Sequence, residues 1–256
     1  MVPSRETARQ VISDGRVTVD GAPALNPARQ VSPSENIEIL EPPAQFVSRA
    51  GNKLEGALEA FDLAPAGLVC LDAGSSTGGF TDCLLQHGAA KVYAVDIGTN
   101  QLHEKIRQHA SVVSHEKTDI RVVDRTVFDE PLQLIVGDLS FISLRLVLPS
   151  LASLIEPGTS MILLVKPQFE ASQQEAAKGN GVIDDPDIWL RALTEVVEAA
   201  AALGAEFVDG TVSPIRGRTG NVEFVVHLRL TAVTNIGYSQ QRLAEVVAEA
   251  QTNPGE

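Results

Sequence analysis

A glycine-rich stretch of this 256-residue chain has the composition of a loop that binds a small molecule. It reads LDAGSSTGGF, residues 71–80, with an Asp that follows an apolar run. No Gly-Lys-Ser/Thr follows, which excludes a phosphate-binding P-loop. Ser76 stands where a dinucleotide fingerprint has its second glycine, the residue that lets a pyrophosphate approach the backbone, so NAD is disfavoured. The stretch therefore favours a ligand that presents a positive amine or hydroxyl groups to Asp72.

Two further acidic residues follow strand-like runs. Asp96 ends VYAVDIG, 22 residues beyond Gly74, where an acidic side chain accepts hydrogen bonds from ribose hydroxyls. Asp119, in KTDIR, is placed to meet an adenine amino group. The alternative is that Asp72, Asp96 and Asp119 are helix N-caps, which are common at such turns. Taken jointly they favour a nucleoside cofactor, and the pattern resembles the S-adenosylmethionine site of Rossmann-like methyltransferases, whose glycine turn holds the methionine end.

The residues expected to contact this cofactor are those of the glycine-rich loop and the residues that end neighbouring strands. They are Asp72, Gly74, Ser75, Ser76, Thr77, Gly78, Gly79, Phe80, Asp96, Asp119 and Asp138.

Four charged residues have positions suited to methyl transfer. Lys166 and Asp138 close the apolar runs SMILLVKP and LIVGD, and charged groups at the ends of buried strands are uncommon without partners. Lys53 and Glu223 also have simpler interpretations, as a solvated helix residue and a strand-edge residue. Transfer to a hydroxyl requires an oxygen aligned with the methyl group and a group that takes the proton or stabilises the alkoxide. Lysine can serve in that role.

The elements that must position these residues alternate between strand-like and helical patterns. Helical patterns at 78–87, 144–154 and 187–203 separate most of the strands, which favours an α/β class with a parallel sheet covered on both faces. Such sheets bind ligands at the carboxyl ends of their central strands. The strand-like runs are LVCLDAG, AKVYAVDIG, ASVVSHE, LQLIVGDLS, TSMILLVKP, AEFVDGTVS and VEFVVHLRL.

The first 45 residues form a separate pattern, a short helix followed by strands. Gly15 ends the predicted helix, and Asp20-Gly21 predicts a tight hairpin turn. The stretch SRETARQVISDGRVTVDG resembles the S4 RNA-binding module, an α+β unit. That module usually begins with a further helix, which we expect to be missing from this sequence. The prolines of EPPAQ, residues 41–45, predict a linker. We therefore expect an S4-like module over 1–45, incomplete at its start, and a methyltransferase domain over 46–256.

The overall charge is unusual for a protein that binds nucleic acid. The formal net charge is −13, so an RNA would have to be attracted by a local basic patch. The residues predicted to contact RNA are Arg5, Arg9, Arg16, Arg49, Arg216 and Arg218. For Arg216 and Arg218 a solvated turn is an equal alternative.

Composition narrows the class of protein further. With 44% hydrophobic and 21% charged residues the chain is typical of a globular protein. Its longest apolar stretch is too interrupted to span a bilayer, and its first residues do not resemble a signal peptide. The two cysteines lack metal-ligand spacing, so we expect no metal, buried thiols and a cytoplasmic location. Nothing in the pattern indicates an oligomeric state.

Five segments, in order, resemble the hemolysin-A-like (TlyA-type) ribosomal RNA methyltransferases, which are grouped with the FtsJ-like 2′-O-methyltransferases. They are VSRAGNKL, LDAGSSTGGFTDCLL, GDLSFISL, LVKPQFE and GNVEFVVHL. The resemblance implies S-adenosylmethionine-dependent methylation of a ribose 2′-hydroxyl, of cytidine, in ribosomal RNA or a ribosomal subunit.

The same resemblance assigns roles to the four charged residues. The family's Lys-Asp-Lys-Glu tetrad falls on Lys53, Asp138, Lys166 and Glu223. Lys166 would orient or deprotonate the hydroxyl, and Asp138 would hold Lys166 near the sulfonium. Lys53 and Glu223 would complete the charge network.

Three other functions compete with this interpretation. A small-molecule or protein methyltransferase would leave Lys53, Lys166 and Glu223 together unexplained. A ribosome assembly factor with a vestigial fold would not need the tetrad. A membrane-active hemolysin would need to overcome the repulsion between an acidic surface and anionic lipids.

Overall fold

The computed structural model describes residues 2, 4–40, 44–233 and 236–255. It divides into two compact units, Met1–Gln45 and Phe46–Glu256. Part of the predicted linker, residues 41–43, lies outside the described residues.

The smaller unit contains one helix and a three-stranded antiparallel sheet. The helix is α1 (Arg5–Ser13), and the strands are β1 (Val17–Val19), β2 (Ala22–Pro23) and β3 (Ile37–Ile39), in the order β2-β1-β3. Val11, Val17, Val19 and Ala24 form its small core. Asp20 and Gly21 have φ angles of 50° and 78°, the pair of positive values that the tightest hairpin turns require.

The larger unit is built on a seven-stranded sheet. Its strands are β4 (Val69–Ala73), β5 (Lys91–Val95), β6 (Val112–His115), β7 (Leu134–Gly137), β8 (Ser160–Val165), β9 (Ala205–Val212) and β10 (Phe224–Leu230). Its helices are α2 (Ala50–Ala60), α3 (Gly79–Gln86), α4 (Glu104–Arg107), α5 (Leu148–Ser153), α6 (Pro167–Glu170), α7 (Gln173–Lys178), α8 (Pro186–Ala202) and α9 (Gln240–Thr252). All seven predicted strands are present, and the predicted α/β class is confirmed.

Helices cover both faces of this sheet because its strands are apolar on both sides. Cys70 and Leu71 are neighbours on β4, yet they belong to different core clusters. One cluster packs the sheet against α2 and α3, and the other packs it against α5, α8 and α9. Such burial on both faces is expected of strands with near-continuous apolar sequences.

The strand order places a crevice in the middle of the sheet. The order is β6-β5-β4-β7-β8-β10-β9, so the chain runs outward in one direction from β4 and then returns to start again at β7. Ligands in open α/β sheets bind at this reversal, beyond the carboxyl ends of the strands. Asp72 and the glycine-rich loop end β4, and Asp138 follows β7 directly.

The expectation of a parallel sheet is wrong for the last strand, β10, while β9 runs in the same direction as the other strands. β10 lies between β8 and β9 and is antiparallel to both. Residues 213–223, which join β9 to β10, contain no helix, and a short connection of this kind produces an antiparallel pair. The insertion of β10 beside β8 brings Glu223 close to the central strands.

We predict that Gly21→Val weakens the smaller unit by about 1–2 kcal/mol, because a β-branched residue is strained at positive φ. Nothing lies within 4 Å of a Cβ added at Gly21, so the effect comes from the backbone alone. The measurement is hydrogen exchange of the amides of residues 17–24 in the whole chain. Ala22→Val, the same side chain at the next position in β2, is the control and should leave exchange unchanged or slower.

Candidate active site

A cavity of about 1050 Å³ opens at the carboxyl ends of the central strands of the larger unit. The loops that follow β4, β5, β7 and β8 contribute its lining, together with the beginning of α2. This is the place that the sheet topology predicts for a ligand.

The glycine-rich loop forms one wall of the cavity. Gly74 has a φ of 83° and lies so close to the β7 loop that an added Cβ would be 3.2 Å from the Asp138 carbonyl oxygen. At Gly79 an added Cβ would be 2.3 Å from Ser48 Oγ. Gly78 does not line the cavity; it packs against Leu102 and Ile106. The other predicted loop residues, Ser75, Ser76, Thr77 and Phe80, line the cavity.

Asp72 lies in β4, two residues before Gly74; it is 1% exposed and does not itself line the cavity. Thr81 Oγ1 donates a hydrogen bond of 2.6 Å to its Oδ2, while Oδ1 has no hydrogen-bond partner among the described residues. Burial raises the pKa of Asp72 to about 7, and the nearby carboxylates of Asp138 and Asp96 add to the rise. A buried carboxylate with a free oxygen is suited to a cationic group.

Asp96 is held by the backbone and keeps capacity for a ligand. Its two oxygens accept hydrogen bonds from the amides of Ser76, at 2.8 Å, and Gly98, at 2.6 Å. A carboxylate has about four lone-pair sites, so about two remain for hydroxyl groups in the cavity. This geometry agrees with a ribose partner and differs from a helix cap.

Asp119 lines the cavity but has the contacts of a cap. Its carboxylate accepts a hydrogen bond of 3.0 Å from the Arg121 amide at the start of a 3₁₀ turn, and it forms a two-point ion pair with the Arg121 guanidinium. These hydrogen bonds from Arg121 lower the pKa of Asp119. The capping alternative therefore describes the contacts of this residue, though not those of Asp72 or Asp96.

The four predicted catalytic side chains meet in a single row of opposite charges. Lys53 Nζ donates a hydrogen bond of 2.6 Å to Glu223 Oε2 and lies 3.7 Å from Asp138 Oδ2. Lys166 Nζ lies 2.5 Å from Asp138 Oδ1, an ion-pair distance whose angles do not make it a hydrogen bond. The order is Glu223, Lys53, Asp138, Lys166, and all four line the cavity.

Because the four side chains are largely buried, each charge depends on an oppositely charged neighbour for its stability. Lys53 and Lys166 are each 7% exposed and Glu223 is 3% exposed, so Lys53 is not a solvated helix residue. Two ammonium groups and two carboxylates leave the row without net charge. Removal of one partner from a buried pair costs about 3–5 kcal/mol, because it leaves a buried charge uncompensated.

Only two of the six predicted basic residues lie at the cavity. Arg49 and Arg218 are exposed and line it. Arg216 donates hydrogen bonds to the carbonyls of Gly220, at 3.2 Å, and Gly255, at 3.4 Å, and lines a smaller cavity of about 290 Å³. It therefore orders its own loop.

The other three basic residues belong to the smaller unit. Arg5 and Arg9 are exposed on α1. Arg16 Nε donates a hydrogen bond of 3.0 Å to the Leu40 carbonyl and so ties β3 to the start of β1.

Sequence reasoning missed three residues beside Lys166. Ser140 Oγ accepts a hydrogen bond of 2.7 Å from Lys166 Nζ. Phe141 is 91% exposed with a φ of 63°, a backbone conformation that large side chains rarely adopt. Its ring lies 5.2 Å from the Phe169 ring, and Lys166 Nζ lies 5.8 Å from the centre of Phe169. The segment SFISL resembles a family motif in the sequence, but backbone strain and side-chain exposure are not visible there.

The cavity has features that fit a polar cofactor. Ser48 Oγ and Gln168 Oε1 both belong to cavity-lining residues and are buried without a hydrogen-bond partner among the described residues. Buried polar atoms in native proteins almost always have partners, so these atoms indicate a ligand. Gly74 and Gly79 pack closely against neighbouring loops where a larger residue would displace the wall.

Family models match nearly the whole chain. The FtsJ-like methyltransferase model covers residues 46–230, and the S4 domain model covers residues 1–37. The chain belongs to the FtsJ-like methyltransferase family. The predicted family is thereby confirmed.

Individual relatives of this FtsJ-like methyltransferase cover most of its length. The 16S/23S rRNA (cytidine-2′-O)-methyltransferase TlyA of Mycobacterium tuberculosis is 42% identical over 227 residues, 88% of this chain and 84% of that protein. Hemolysin A of Brachyspira hyodysenteriae is 40% identical over 225 residues, 88% and 93% of the two chains. A solved structure from Streptococcus thermophilus, described as a hemolysin, has a TM-score of 0.79 at 37% identity and covers 98% of this chain and 92% of that one.

Some relatives of this FtsJ-like methyltransferase carry the name hemolysin, which raises the question of membrane insertion. Within the described ranges, no helix combines the length and apolarity that crossing a bilayer requires.

We predict that Asp72→Asn changes how stability depends on pH. Because the folded protein raises the pKa of this carboxyl above its ordinary value of 3.8, its contribution to stability is fully present below about pH 4 and is lost as pH rises through about 7. The loss amounts to about 4 kcal/mol at most. The Asn variant should therefore be the more stable protein at pH 8 and similar to the parent near pH 4.

Denaturant unfolding of the cofactor-free protein across pH 4–8 measures this difference. Asp129→Asn, at an exposed position, is the control and should follow the parent at every pH. A parallel loss of stability in Asp72→Asn and the parent between pH 5 and 8 would contradict the assignment.

Proposed function

We propose that this protein transfers the methyl group of S-adenosylmethionine to the 2′-hydroxyl of a ribose, that of a cytidine, in ribosomal RNA. The observation that carries the proposal is the row Glu223–Lys53–Asp138–Lys166 on the wall of a cavity that begins at the glycine-rich loop. Relatives named as rRNA (cytidine-2′-O)-methyltransferases support the substrate. Such a substrate also supports a cytoplasmic location.

The loops after β4, β5 and β6 supply the cofactor contacts in this proposal. The turn from Gly74 to Thr77, which lines the cavity, takes the methionine part. Asp72, buried in β4 just before this turn, keeps one oxygen without a hydrogen-bond partner for a cationic group. Asp96 accepts hydrogen bonds from the ribose hydroxyls. Asp119 remains the proposed partner of the adenine amino group and shares its carboxylate with Arg121.

Lys166 is the residue that meets the nucleophile. Bound S-adenosylmethionine supplies an electrophilic methyl group on a positively charged sulfur. Lys166 Nζ, fixed between Asp138 Oδ1 and Ser140 Oγ, donates a hydrogen bond to the 2′-oxygen and stabilises the negative charge that develops there. Asp138 is the nearest carboxylate to this ammonium and takes the hydroxyl proton. Lys53 helps to hold Asp138 in place, and Glu223 supplies the negative charge that compensates Lys53.

Phe141 is placed to contact the base of the target nucleotide. A ribose can reach a cavity of this kind only if its nucleotide leaves the stack, and a flipped base is held by aromatic side chains. Phe141 is exposed beside Lys166 and backed by Phe169. Stacking of a base on an aromatic ring is worth about 1–3 kcal/mol.

Local basic groups must attract the RNA, because the net charge of −13 repels a polyanion. Arg49 and Arg218 at the cavity, with Arg5 and Arg9 on α1 of the S4 unit, are exposed and could bind phosphates.

Lys166→Ala should lower methyl transfer at least about 100-fold, because the variant loses the group that orients and stabilises the nucleophile. The measurement is transfer of labelled methyl from S-adenosylmethionine to small subunits, large subunits and bare ribosomal RNA. A 2′-O-methyl group makes one phosphodiester resistant to alkali, which identifies the modified position.

Lys91→Ala is the matched control for this loss. Lys91 lies at the amino end of β5, the opposite end of the sheet, where it pairs with Glu130. Its removal should leave transfer unchanged. Full turnover by Lys166→Ala, or alkali-labile label in the product, would contradict the proposed reaction.

Phe141→Ala should raise the KM for RNA or lower kcat about 5- to 150-fold, as expected from the loss of about 1–3 kcal/mol of stacking. Affinity for S-adenosylmethionine, measured by calorimetry, should be unchanged. Phe141→Tyr keeps an aromatic ring and should retain most of the activity. Equal losses in the Ala and Tyr variants would exclude stacking as the role of this residue.

A further inference from the structure

Glu170 is a buried carboxylate that the proposed mechanism does not use. Its side chain is 1% exposed, although Glu is almost never fully buried without partners. It accepts hydrogen bonds from Ser143 Oγ at 2.5 Å, from the Leu144 amide at 2.7 Å and from Arg145 Nε at 3.2 Å. Arg145 also donates to the Glu170 carbonyl at 3.2 Å.

These contacts join the two loops that carry the reacting groups. Glu170 ends α6, the short helix that begins directly after Lys166 and contains Phe169. Its partners lie at 143–145, just after Ser140 and Phe141 in the loop that follows β7. The carboxylate thus bridges the end of β7 and the end of β8 beside the row of charges.

The bridge bears directly on the geometry of Lys166. The Nζ contacts with Asp138 and Ser140 span these same two loops, at 2.5 and 2.7 Å. Phe141, which follows Ser140 in the β7 loop, has a positive φ of 63°, a strained conformation that persists only where surrounding contacts enforce it. Glu170 supplies such contacts at residues 143–145, two to four positions further along the loop.

A third element anchors the bridge. Arg145 Nη1 lies 2.7 Å from Glu195 Oε2 on α8, so the guanidinium links Glu170 to the helix layer behind the sheet. A fixed helix on one side and two hydrogen-bonded loops on the other restrict movement of the β7 loop relative to β8.

We infer that Glu170 is a positioning residue that locks the β7 loop to the β8 loop, and thereby sets Lys166 and Phe141 in their working geometry. The inference rests on the proposed function for its effect on rate, while the lock itself is a property of the protein alone. A misplacement of about 1 Å at the reacting groups can cost about 100-fold in rate.

Glu170→Gln tests this contact between the two loops and hardly changes the side-chain volume. The amide has no charge to pair with Arg145, and one acceptor oxygen is replaced by an NH₂ group. Glu175→Gln is a closely matched control. Glu175 also accepts hydrogen bonds from a serine hydroxyl, a backbone amide and an arginine, namely Ser172 Oγ, Ser172 N and Arg191. The Ser172 contacts cap α7, the Arg191 contact joins α7 to α8, and none of them joins the loops after β7 and β8 to each other.

Two measurements on each full-length variant distinguish the effect on the β7 loop from the effect on the reaction rate. Hydrogen exchange in residues 139–147 should accelerate at least 10-fold in Glu170→Gln and stay at the parental rate in Glu175→Gln. With labelled S-adenosylmethionine and ribosomal subunits, kcat should fall about 10- to 100-fold in Glu170→Gln only, with an unchanged Kd for the cofactor. Arg145→Gln should reproduce both effects more weakly if Glu170→Gln fails to fold.

The outcomes are distinguishable. Unchanged exchange at 139–147 in Glu170→Gln would overturn the lock, and so would acceleration throughout the larger unit or loss of cofactor affinity, since these indicate general destabilisation. Accelerated exchange with a parental kcat would overturn its role in positioning. If the parent protein methylates no RNA, the proposed function fails, and local exchange still decides whether Glu170 holds the two loops.

Discussion

The carboxylate of Asp138 is shared between two lysines, and the candidate active site depends on that sharing. One oxygen lies 2.5 Å from Lys166 and the other 3.7 Å from Lys53. An ammonium that is 7% exposed needs a compensating charge, and a single carboxylate cannot neutralise two of them. Glu223 supplies the second negative charge from the far end of the chain. The cluster is therefore stable only when α2, β7, β8 and β10 are all in place.

The sheet topology is the reason that these four elements meet. The carboxyl ends of β4 and β7 flank the point where the strand order reverses, which places the glycine-rich loop next to Asp138. Lys166 follows β8, the next strand outward. Had β10 joined the sheet at its edge, Glu223 would lie one strand further away, so the antiparallel insertion serves the site as well as the fold.

Much of this arrangement could be predicted from the sequence because its signals are local. The apolar run before Lys166 and the Asp that closes LIVGD mark strand ends, and the Asp20-Gly21 pair marks a hairpin with positive φ at both residues. The single residue Ser76, in place of a second glycine, distinguishes this loop from a dinucleotide-binding fingerprint. Neighbouring strand ends in an α/β sheet meet by topology, so local signals were enough to assemble the cavity in outline.

The remainder depends on which partners the side chains and strands choose in the folded protein, and the sequence pattern does not show this. Asp119 looks like Asp96 in sequence, yet a neighbouring Arg121 engages its carboxylate. Arg216 and Arg218 are two residues apart in one loop, but only Arg218 faces the cavity, because Arg216 donates to the Gly220 and Gly255 carbonyls. The antiparallel insertion of β10 and the strained, exposed Phe141 likewise depend on tertiary structure.

The pair between Lys53 and Glu223 joins residues that are 170 positions apart, and this has a consequence for synthesis of the protein. While the chain emerges from a ribosome, Lys53 becomes available long before its carboxylate partner has been made. A folding core that closed over Lys53 at that stage would bury an unpaired ammonium, which opposes premature closure. A chain that stopped before Glu223 would leave Lys53 and Lys166 to share the single carboxylate of Asp138, so the charge cluster is complete only after the last strand of the sheet has been reached.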